Sequence, residues 1–486
     1  MGLHLQLPPN VASCLTVGFI IFLFRRDIRE RPDVSGGLWL PLIWLVIACS
    51  RGPSLWLNIF GVQGSGGASV EEGSPLDAWF FLLMIAAGVY VLNKRQVRLS
   101  AILHSNGWLI AFLLYCFVSI AWSDFPFVAF KRWIKILGHP IMALIVLTEP
   151  DPEEGLTRLM KRCAYVVVPV SILFIKYYPE LGRGFDPWTG EGFNTGITTN
   201  KNSLGADCLI LGFFLFWHFL QAWSLERSKY RRNELFLTGG LLMGIWWLLS
   251  QAHSATSSTS LFIGVLVVVF VGIRSVNRNF IGTYMLAALV LVAAAELMFG
   301  ISGHFSQALG RGSGLSGRTL LWSHLLELNT NPIIGTGFES FWLGKRPEQL
   351  EGIFWYIPNE AHNGYLETYL TLGSIGVLLL IGLFVATFRK IRLELFRNFE
   401  WARCRLGFLT AVILYNWTEA GFKTISPIWF AFYLVAMDYP RTHRTIAQPS
   451  VGFVRSEEDL KFAHVEGNPD MGALPFSADP PTRFGD

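Results

Sequence analysis

Apolar and polar segments alternate along the whole chain, and the apolar segments approach the length of a membrane span. A bilayer core of ~30 Å needs about 20 helical residues. The pattern therefore predicts an all-α polytopic integral membrane protein with about 12–13 transmembrane helices, the lower number allowing for short runs near both ends. The apolar runs lie roughly at 10–24, 37–50, 76–93, 107–122, 133–149, 163–177, 204–223, 235–251, 257–273, 279–299, 364–388, 405–418 and 426–439.

The same pattern divides the chain into four predicted regions. Residues 1–299 contain the first ten spans with short loops, and residues 300–363 form a large helical extracytoplasmic loop with candidate site residues. Residues 364–440 contain the final spans. Residues 441–486 are polar and rich in Pro and Gly, which predicts a disordered cytoplasmic tail.

Composition supports the membrane assignment and argues against a soluble protein, a disulfide-rich protein and a metal-binding protein. The 486 residues are 52% hydrophobic and 15% charged, whereas a soluble protein carries about 25% charged residues. The six cysteines show no CxxC or Cys/His spacing, so we expect neither a disulfide framework nor a metal site. The first apolar run lacks a basic stretch before it and a small-residue cleavage site after it, so we expect no cleavable signal peptide.

Charge predicts which side each connection faces. Every second connection is basic, and excess Lys and Arg marks the cytoplasmic side. The C-terminal tail then lies in the cytoplasm, and the long connections 51–75, 178–203 and 300–363 face outward. Chemistry on that side has no ATP or nucleotide sugars and must use a donor that is already activated. The basic connections are "RRDIRER", "NKRQVR", "TRLMKR", "RSKYRR", "RSVNR" and "FRKIRLELFR" with "RCR".

A polar cluster ends the largest outward connection where the next membrane helix begins. The stretch "EAHNGYLETYLTLGSIG" contains Glu360, His362 and Glu367. A histidine with an unperturbed pKa near 6.5 can act as an acid or a base. The alternative is an ordinary loop histidine.

Arg318 lies in the first turn of a helix predicted in "GRTLLWSHLLELN", with Ser316 as its N-cap. The helix dipole disfavours a cation there but favours an anion, so a phosphate could dock between the helix end and the guanidinium. A solvated surface arginine is the alternative. The preceding "GSGLSG" has no strand before it, so we do not interpret it as a dinucleotide site.

Other outward segments contribute further candidates. Lys201 and Asn202 in "GITTNKNSLG" could bind phosphate, or the lysine could snorkel to the interface. In "NWTEAGFKT", Glu419 either pairs with Lys423 or points into a cavity. Arg132 in "FPFVAFKRWIKILGHP" indicates a cationic groove or interface snorkelling. Aromatic residues of the 300–363 loop, Trp322 among them, fit a sugar-stacking surface or an aromatic belt.

Together these segments resemble the O-antigen ligase and polymerase superfamily of bacterial envelope enzymes, over roughly residues 37–435. Ligases of that superfamily carry a histidine, Asn/Ser/Gln, nine residues, Gly, two residues and Gly/Thr/Tyr. The motif is matched by His362, Asn363, "GYLETYLTL", Gly373, "SI" and Gly376. "LSGRTLLWSHLLELNTNPIIGTGF" is similar to the family's loop arginine and its Pro332–Gly335–Gly337 pattern.

Further segments resemble the exopolysaccharide-production polymerases of this superfamily. These are "RRDIRERPDVSGGLWLPLIWLVIACSRGPSLWL", "GSPLDAWFF", "WSDFPFVAFKRW" and "GITTNKNSLG". Ligases place a second essential arginine in a serine–arginine context, where this chain has "LLSQAHSATSSTS". Either His253, Lys201 or Arg132 replaces that arginine or the diphosphate is held differently, and this departure favours the exopolysaccharide branch.

The resemblance implies a glycosyltransferase in the bacterial inner membrane, with its active loop facing the periplasm. Its expected partners are a polyprenyl-diphosphate-linked oligosaccharide, the bilayer, a flippase, and chain-length or export proteins, without nucleic acid, metal or cofactor. A polymerase of lipid-linked repeats is the leading interpretation. A ligase with another acceptor, and a transporter or flippase of lipid-linked sugars, stay open. The candidate catalytic residues are His362, Arg318, Glu360 and Glu419, and the candidate substrate-binding residues are Lys201, Asn202, Arg132, Arg311, Asn363 and Trp322.

Overall fold

A computed structural model describes residues 7–30, 32–62, 73–185, 190, 192–285, 287, 318–328, 330–351 and 358–440. Arg311, the 312–317 segment with the predicted N-cap Ser316, most of the predicted span 279–299 and the predicted tail lie outside the described residues. The chain divides into two units, Met1–Tyr439 and Pro440–Asp486. The description below concerns the first unit.

Helices dominate the described residues, and the predicted all-α class is confirmed. Short 3₁₀ turns occur at Gly36–Leu38, Ser119–Trp122 and Arg278–Phe280, and one antiparallel pair joins β1 (Arg183–Phe185) to β2 (Gly192–Asn194). The helices are α1 (Pro9–Arg29), α2 (Trp39–Ala48), α3 (Pro53–Ile59), α4 (Pro75–Lys94), α5 (Leu99–Ser105), α6 (Gly107–Val118), α7 (Pro126–Ile136), α8 (Gly138–Leu147), α9 (Pro152–Tyr177), α10 (Pro179–Gly182), α11 (Lys201–Ser224), α12 (Lys229–Ala252), α13 (Ala255–Gly272), α14 (Arg318–Glu327), α15 (Lys345–Glu351), α16 (Gly364–Glu394), α17 (Phe399–Thr418) and α18 (Pro427–Ala436).

Length and apolarity identify five helices of the described residues that can cross a membrane: α4, α11, α12, α13 and α16. Two further pairs are bent spans, Gly36–Ala48 with Pro53–Ile59 at 69° and Leu99–Ser105 with Gly107–Trp122 at 98°, which gives up to seven. Other predicted spans coincide with shorter helices or with helices that carry more charge. The protein is thus a helical polytopic membrane protein, and a total of 12–13 spans stays a prediction.

Helix α9 is longer than its predicted apolar run 163–177, because it begins at Pro152 and includes the "TRLMKR" segment that charge had assigned to a connection. The three cations of this segment are buried and paired. Arg158 and Arg162 contact Asp27 of α1 at 2.8 and 2.7 Å, and Lys161 contacts Glu234 of α12. These pairs join the end of α1 to the starts of α9 and α12, as the predicted alternation of sides requires. We call this end of the helices the basic side.

The opposite ends of the helices carry the candidate residues, so we call that end the site side. Helix α17 reaches it by packing closely on α13. A Cβ on Gly407 would lie 2.7 Å from the carbonyl oxygen of Gly264, and small residues of this kind allow two membrane helices to approach backbone to backbone. Helix α11 is buried along most of its length and is capped at the site side by Asn200, whose side chain accepts a 2.8 Å hydrogen bond from the amide of Ser203.

Candidate active site

Four helix ends meet at the site side: the starts of α11, α14 and α16 and the end of α17. Asn363 caps α16, because its Oδ1 accepts 3.0 Å hydrogen bonds from the amides of Tyr365 and Leu366. The amide of Gly364 donates to the carbonyl of Glu419 at 3.0 Å. A Cβ on Gly364 would lie 2.4 Å from Oδ1 of Asn416, so only glycine permits this approach of α16 to α17.

Helix α16 is interrupted at Gly373, whose φ of 65° and ψ of −167° are not helical. The segment 332–337 fills the break. The amides of Thr336 and Gly337 donate to the carbonyls of Leu370 and Thr371 at 3.1 and 2.8 Å, and the amide of Ser374 donates to the carbonyl of Pro332 at 2.9 Å. These contacts give a physical reason for the glycines of both resemblance motifs.

Glycine is required on both sides of this contact. Gly335 has a φ of 68°, and a Cβ there would lie 2.5 Å from the amide nitrogen of Leu372. A Cβ on Gly373 would lie 2.2 Å from the carbonyl oxygen of Ile333. Side chains at these positions would therefore separate the loop from α16 and displace the helix start that carries the candidate histidine.

Glu419, at the end of α17, is the point on which the candidate residues converge. It is 4% exposed. Its Oε1 lies 2.9 Å from Nη2 of Arg318, the first residue of α14, and Nη1 of Arg318 donates to the carbonyl of Thr418. The side-chain amide of Asn202, in the first turn of α11, donates to Oε2 of Glu419 at 3.2 Å. Two predicted site residues thus contact one predicted carboxylate.

His362 lies between two carboxylates. Its Nδ1 is 2.9 Å from Oε1 of Glu360 and 3.5 Å from Oε2 of Glu419. The residue has a φ of 50°, a left-handed conformation that costs about 1–3 kcal/mol for a non-glycine residue and often accompanies functional sites. Glu360 also pairs with Lys423. The sequence had left open a pair between Glu419 and Lys423, whereas the lysine binds the other carboxylate.

This arrangement sets the protonation of the cluster. Burial alone would lower the pKa of His362, but its hydrogen bonds with Glu360 and Glu419 outweigh burial and raise the pKa to about 9. Burial alone would raise the pKa of Glu360, but His362 and Lys423 hold it below its usual range. At neutral pH the cluster therefore contains an imidazolium and an ionised Glu360.

Ala361 is fixed on both sides and thereby orients His362. Its carbonyl accepts a 2.8 Å hydrogen bond from the indole of Trp322, and its amide donates at 2.7 Å to Glu367. Glu367 also accepts a hydrogen bond from the indole of Trp342 at 2.8 Å. The polar ends of these aromatic side chains thus support the histidine, while a sugar-stacking role for the Trp322 ring stays a prediction.

Two other predicted residues lie outside the cluster. Lys201 begins α11, and its amine lies 5.6 Å from the centre of the Phe193 ring. Arg132 donates to the carbonyl of Glu339. Within the described part of the chain, neither cation forms a hydrogen bond or ion pair with Glu360, His362 or Glu419.

A cavity of about 250 Å³ adjoins the cluster through Lys423 and Glu367. Its walls combine aromatic rings with polar groups of both signs. Glu339, which sequence reasoning missed, lies in this wall; its carboxylate accepts a 2.7 Å hydrogen bond from the amide of Thr424. No sequence signal distinguished it, because its partners lie far away along the chain. The lining includes Phe112, Phe338, Trp342, Phe422, Trp429, Arg132, Glu339, Asn359, Glu367 and Lys423.

Among the described residues, Glu360, His362 and Glu419 also form a group that could hold a metal ion, with ligand atoms within 4.8 Å of one another. Arg318 and Lys423 already place positive charge on the two carboxylates. A divalent cation would have to displace these partners, so the cluster fits an anionic ligand between its cations better than a metal.

Two comparisons with known proteins bear on this site. The O-antigen ligase family model matches residues 238–381, a range that includes Arg318, His362 and Gly373. The exopolysaccharide production protein ExoQ of Rhizobium meliloti (strain 1021) is 27% identical over 297 residues, covering 58% of this chain and 64% of the relative's length. Together these matches support the placement of the chain in the O-antigen ligase and polymerase superfamily, near the exopolysaccharide-production branch.

Proposed function

We propose that the protein is an inner-membrane polymerase that joins polyprenyl-diphosphate-linked oligosaccharide repeats during exopolysaccharide biosynthesis. The family match supports an enzyme of the ligase and polymerase type, and the relative is named for exopolysaccharide production. The proposed donor is a glycan on polyprenyl diphosphate, and the acceptor is a sugar hydroxyl of a second lipid-linked repeat. A flippase would supply the donor, and chain-length or export proteins would receive the product.

The observation that carries this proposal is the convergence of Arg318 and His362 on Glu419. These residues come from separate segments and meet at the helix ends of one side. In the proposed topology this side faces the periplasm, and the 300–363 connection contributes Arg318, Glu360 and His362. The arrangement gathers Arg318, His362, Glu360 and Glu419 in one cluster, and the neighbouring cavity is lined by Lys423 and Glu367.

Arg318 is the proposed clamp for the leaving diphosphate. Negative charge develops on that group as the glycosidic bond breaks, and fixed cations at such a position contribute strongly to lowering the barrier. Nη1 and Nη2 of Arg318 bind Thr418 and Glu419, while its Nε has no hydrogen-bond partner among the described residues. A diphosphate can therefore bind the N–H of Nε and compete with Glu419 for the two Nη groups of the guanidinium.

Glu419 is the proposed base in this step. When the diphosphate draws Arg318 away, the carboxylate loses this ion pair and an oxygen of Glu419 is left available to accept a proton. The acceptor oxygen then bonds to the anomeric carbon as the bond from that carbon to the diphosphate oxygen breaks. The hydroxyl proton passes to Glu419, and polyprenyl diphosphate leaves with the electron pair. A single displacement of this kind inverts the anomeric carbon.

The proposed role of His362 is to orient Glu419 and the substrates, rather than to act as a base in the resting enzyme. With its pKa raised to about 9, the ring is protonated at neutral pH. It can donate hydrogen bonds and position Glu419 and the substrates. Of the two predicted roles, base or orienting group, the geometry favours the second. Lys423, beside Glu360, supplies the second fixed cation in a chain that lacks the ligases' second arginine.

The neighbouring cavity is the proposed site for the acceptor sugar. Aromatic faces such as Phe338 and Trp342 can pack on the apolar face of a sugar ring, while Glu339 and Asn359 can hydrogen-bond its hydroxyls. Its volume of about 250 Å³ is near the lower end of small-molecule sites, which span ~300–1,000 Å³.

Turnover of purified protein in liposomes with lipid-linked oligosaccharide tests the proposal. Longer glycans on the same lipid are expected from a polymerase. Glycan on a new acceptor would instead identify a ligase, and transfer across the bilayer without a new glycosidic bond would identify a transporter.

Single cysteines at Ser313 and Ser456 in a cysteine-free background test the proposed orientation. An impermeant maleimide applied to intact spheroplasts should label only position 313. Labelling at position 456 alone would invert the topology.

A further inference from the structure

A second cavity lies on the basic side, between α1 and α12, away from the candidate active site. It has a volume of about 490 Å³, within the range of ~300–1,000 Å³ common for small-molecule sites. Its apolar part is formed by Gly18, Ile21 and Phe22 of α1. Ile21 and Phe22 are 47% and 60% exposed, which places this part of the cavity where hydrocarbon chains would lie.

The polar part of the cavity carries an excess of positive charge. Arg25, Arg26, Arg29 and Glu30 line it together with Tyr230 and Asn233. Arg26 is already neutralised, because it contacts Glu30 and Glu234 at 3.3 Å each. Glu30 is also held by Arg158 at 2.6 Å. Both acids at the edge of the cavity are therefore engaged by cations from within the protein.

Arg25 and Arg29 differ from Arg26, because neither contacts a carboxylate among the described residues. Both are exposed, and neither forms an ion pair or side-chain hydrogen bond with any other described residue. They are one helical turn apart on α1, so both guanidinium groups can reach one anion. Arginine binds phosphate oxygens through paired N–H groups, and the Tyr230 hydroxyl and Asn233 amide add further donors.

We propose that this cavity binds an anionic phospholipid, with Arg25 and Arg29 on its phosphate and an acyl chain along Gly18, Ile21 and Phe22. The helix dipole and the positive-inside pattern alone would place arginines near the end of α1. They would not produce a cavity that combines an exposed apolar wall with two arginines that pair with none of the described residues. Basic pockets between membrane helices are known to bind lipid headgroups. The lipid would bridge α1 and α12 beside their Arg26–Glu234 pair.

Native mass spectrometry can test this proposal on the full-length protein in detergent. Delipidated protein is offered equal amounts of phosphatidylglycerol and phosphatidylethanolamine with the same acyl chains. We expect wild type to retain phosphatidylglycerol preferentially, and Arg25→Gln/Arg29→Gln to lower that retention at least tenfold. Equal retention of the two lipids by wild type would overturn the proposal.

Arg389 and Arg392 provide a matched control pair. Both are exposed near the basic-side end of α16, one turn apart, and neither lines the cavity between α1 and α12. Arg389→Gln/Arg392→Gln should retain phosphatidylglycerol as wild type does. An equal loss in both double variants would indicate general surface charge and contradict a specific site.

Glycerol 3-phosphate distinguishes a lipid from a soluble anion. The melting temperature of the wild-type protein should rise with phosphatidylglycerol and stay constant with glycerol 3-phosphate, because only the lipid fills the apolar part. An equal rise with both compounds would show that the cavity binds a soluble phosphate rather than a lipid.

Discussion

Two clusters of charged side chains lie at opposite ends of the helices, and they differ in how far their side chains are exposed. On the basic side, Asp27 is bound by Arg158 and Arg162, and Glu234 by Lys161 and His218. The side chains of Asp27 and Glu234 are 0% and 1% exposed. These charged residues lie within long helices, and the packing of those helices against one another holds the partners together.

The site-side cluster is built from helix ends and loops instead. The side chains of His362 and Glu360 are 28% and 23% exposed, and His362 has a left-handed backbone. Among the described residues the Nε of Arg318 has no hydrogen-bond partner, and a cavity adjoins Lys423. If the site-side cluster is the active site, as proposed, function goes with partly open charge at helix ends rather than with buried charge in general. Variants of the two clusters should then fail in different ways.

The largest expected effect is loss of transfer on replacing Arg318. Arg318→Ala should abolish polymer while the protein still inserts, because Asn202 and His362 continue to contact Glu419 when the guanidinium is removed. Arg318→Lys keeps the charge but loses the planar fork that grips phosphate. We expect it to lose on the order of 10²–10³ in transfer rate, measured as single-turnover elongation of lipid-linked oligosaccharide.

Arg346 is the control for this change. It is also on the site side and pairs with an acid, Asp124, away from the cluster. Arg346→Lys should elongate glycan at the wild-type rate. Wild-type elongation by Arg318→Lys would show that the clamp is assigned to the wrong residue.

Replacing Asp27 should produce the opposite phenotype. Asp27→Ala leaves Arg158 and Arg162 buried with one partner fewer, and breaking a buried pair in this way costs about 3–5 kcal/mol. We expect low abundance and a lower melting temperature, while the transfer rate per folded molecule stays near that of wild type. Asp124→Ala, which breaks an exposed pair, should cost about 0–1 kcal/mol. Normal stability of Asp27→Ala would remove the distinction between the clusters.

His362→Ala should slow transfer by about 10²-fold, and its pH dependence is diagnostic. The raised pKa means that His362 is charged below about 9 and loses its proton as pH rises through that value. Wild-type transfer should therefore stay level near neutral pH and decline as pH rises through about 9, a decline that is absent in His362→Ala. A rate that rises with pH between 6 and 8 would indicate a histidine base. His324→Ala changes a half-buried histidine of α14 that pairs with Glu327 outside the cluster, and it should be neutral.

The sequence predicted the all-α class, which the described helices confirm, and it named most of the residues that meet in the site-side cluster. Hydrophobic periodicity is a local signal, so it was sufficient for the fold class, whereas the sidedness of the connections stays a prediction. The length of α9 could not be predicted, because its buried cations require Asp27 and Glu234 as partners far away in sequence. The local charge pattern alone had predicted that those cations lie in a connection between two spans.

The sequence could not predict that the candidate residues meet in one site. Arg318, His362 and Glu419 were candidates one by one, but nothing local joined them. The lysine partner of Glu360, the role of Glu339 and the filling of the break at Gly373 by residues 332–337 all depend on tertiary packing. A motif identified the glycines of this contact, and only the three-dimensional contact explains them.

The smallest expected effect is that of removing the tail. Truncation after residue 442 should leave polymerisation intact, because the tail sequence lacks the periodic apolar residues needed to pack. Truncation after residue 425 also removes α18, in which Trp429 and Phe430 are fully buried, and should eliminate the protein from the membrane. If the protein truncated after residue 442 is present at normal abundance but makes no polymer, the tail has a function.

Glu419→Gln tests the central claim most directly, because Arg318, His362 and Asn202 all meet at this carboxylate. The measurement is single-turnover elongation of lipid-linked oligosaccharide by purified protein, with its melting temperature recorded alongside. Glutamine keeps the shape and can still bind Arg318, but it cannot take a proton. We expect Glu419→Gln to lose at least about 10²-fold in transfer at a near-native melting temperature. Wild-type elongation by Glu419→Gln would contradict the central claim.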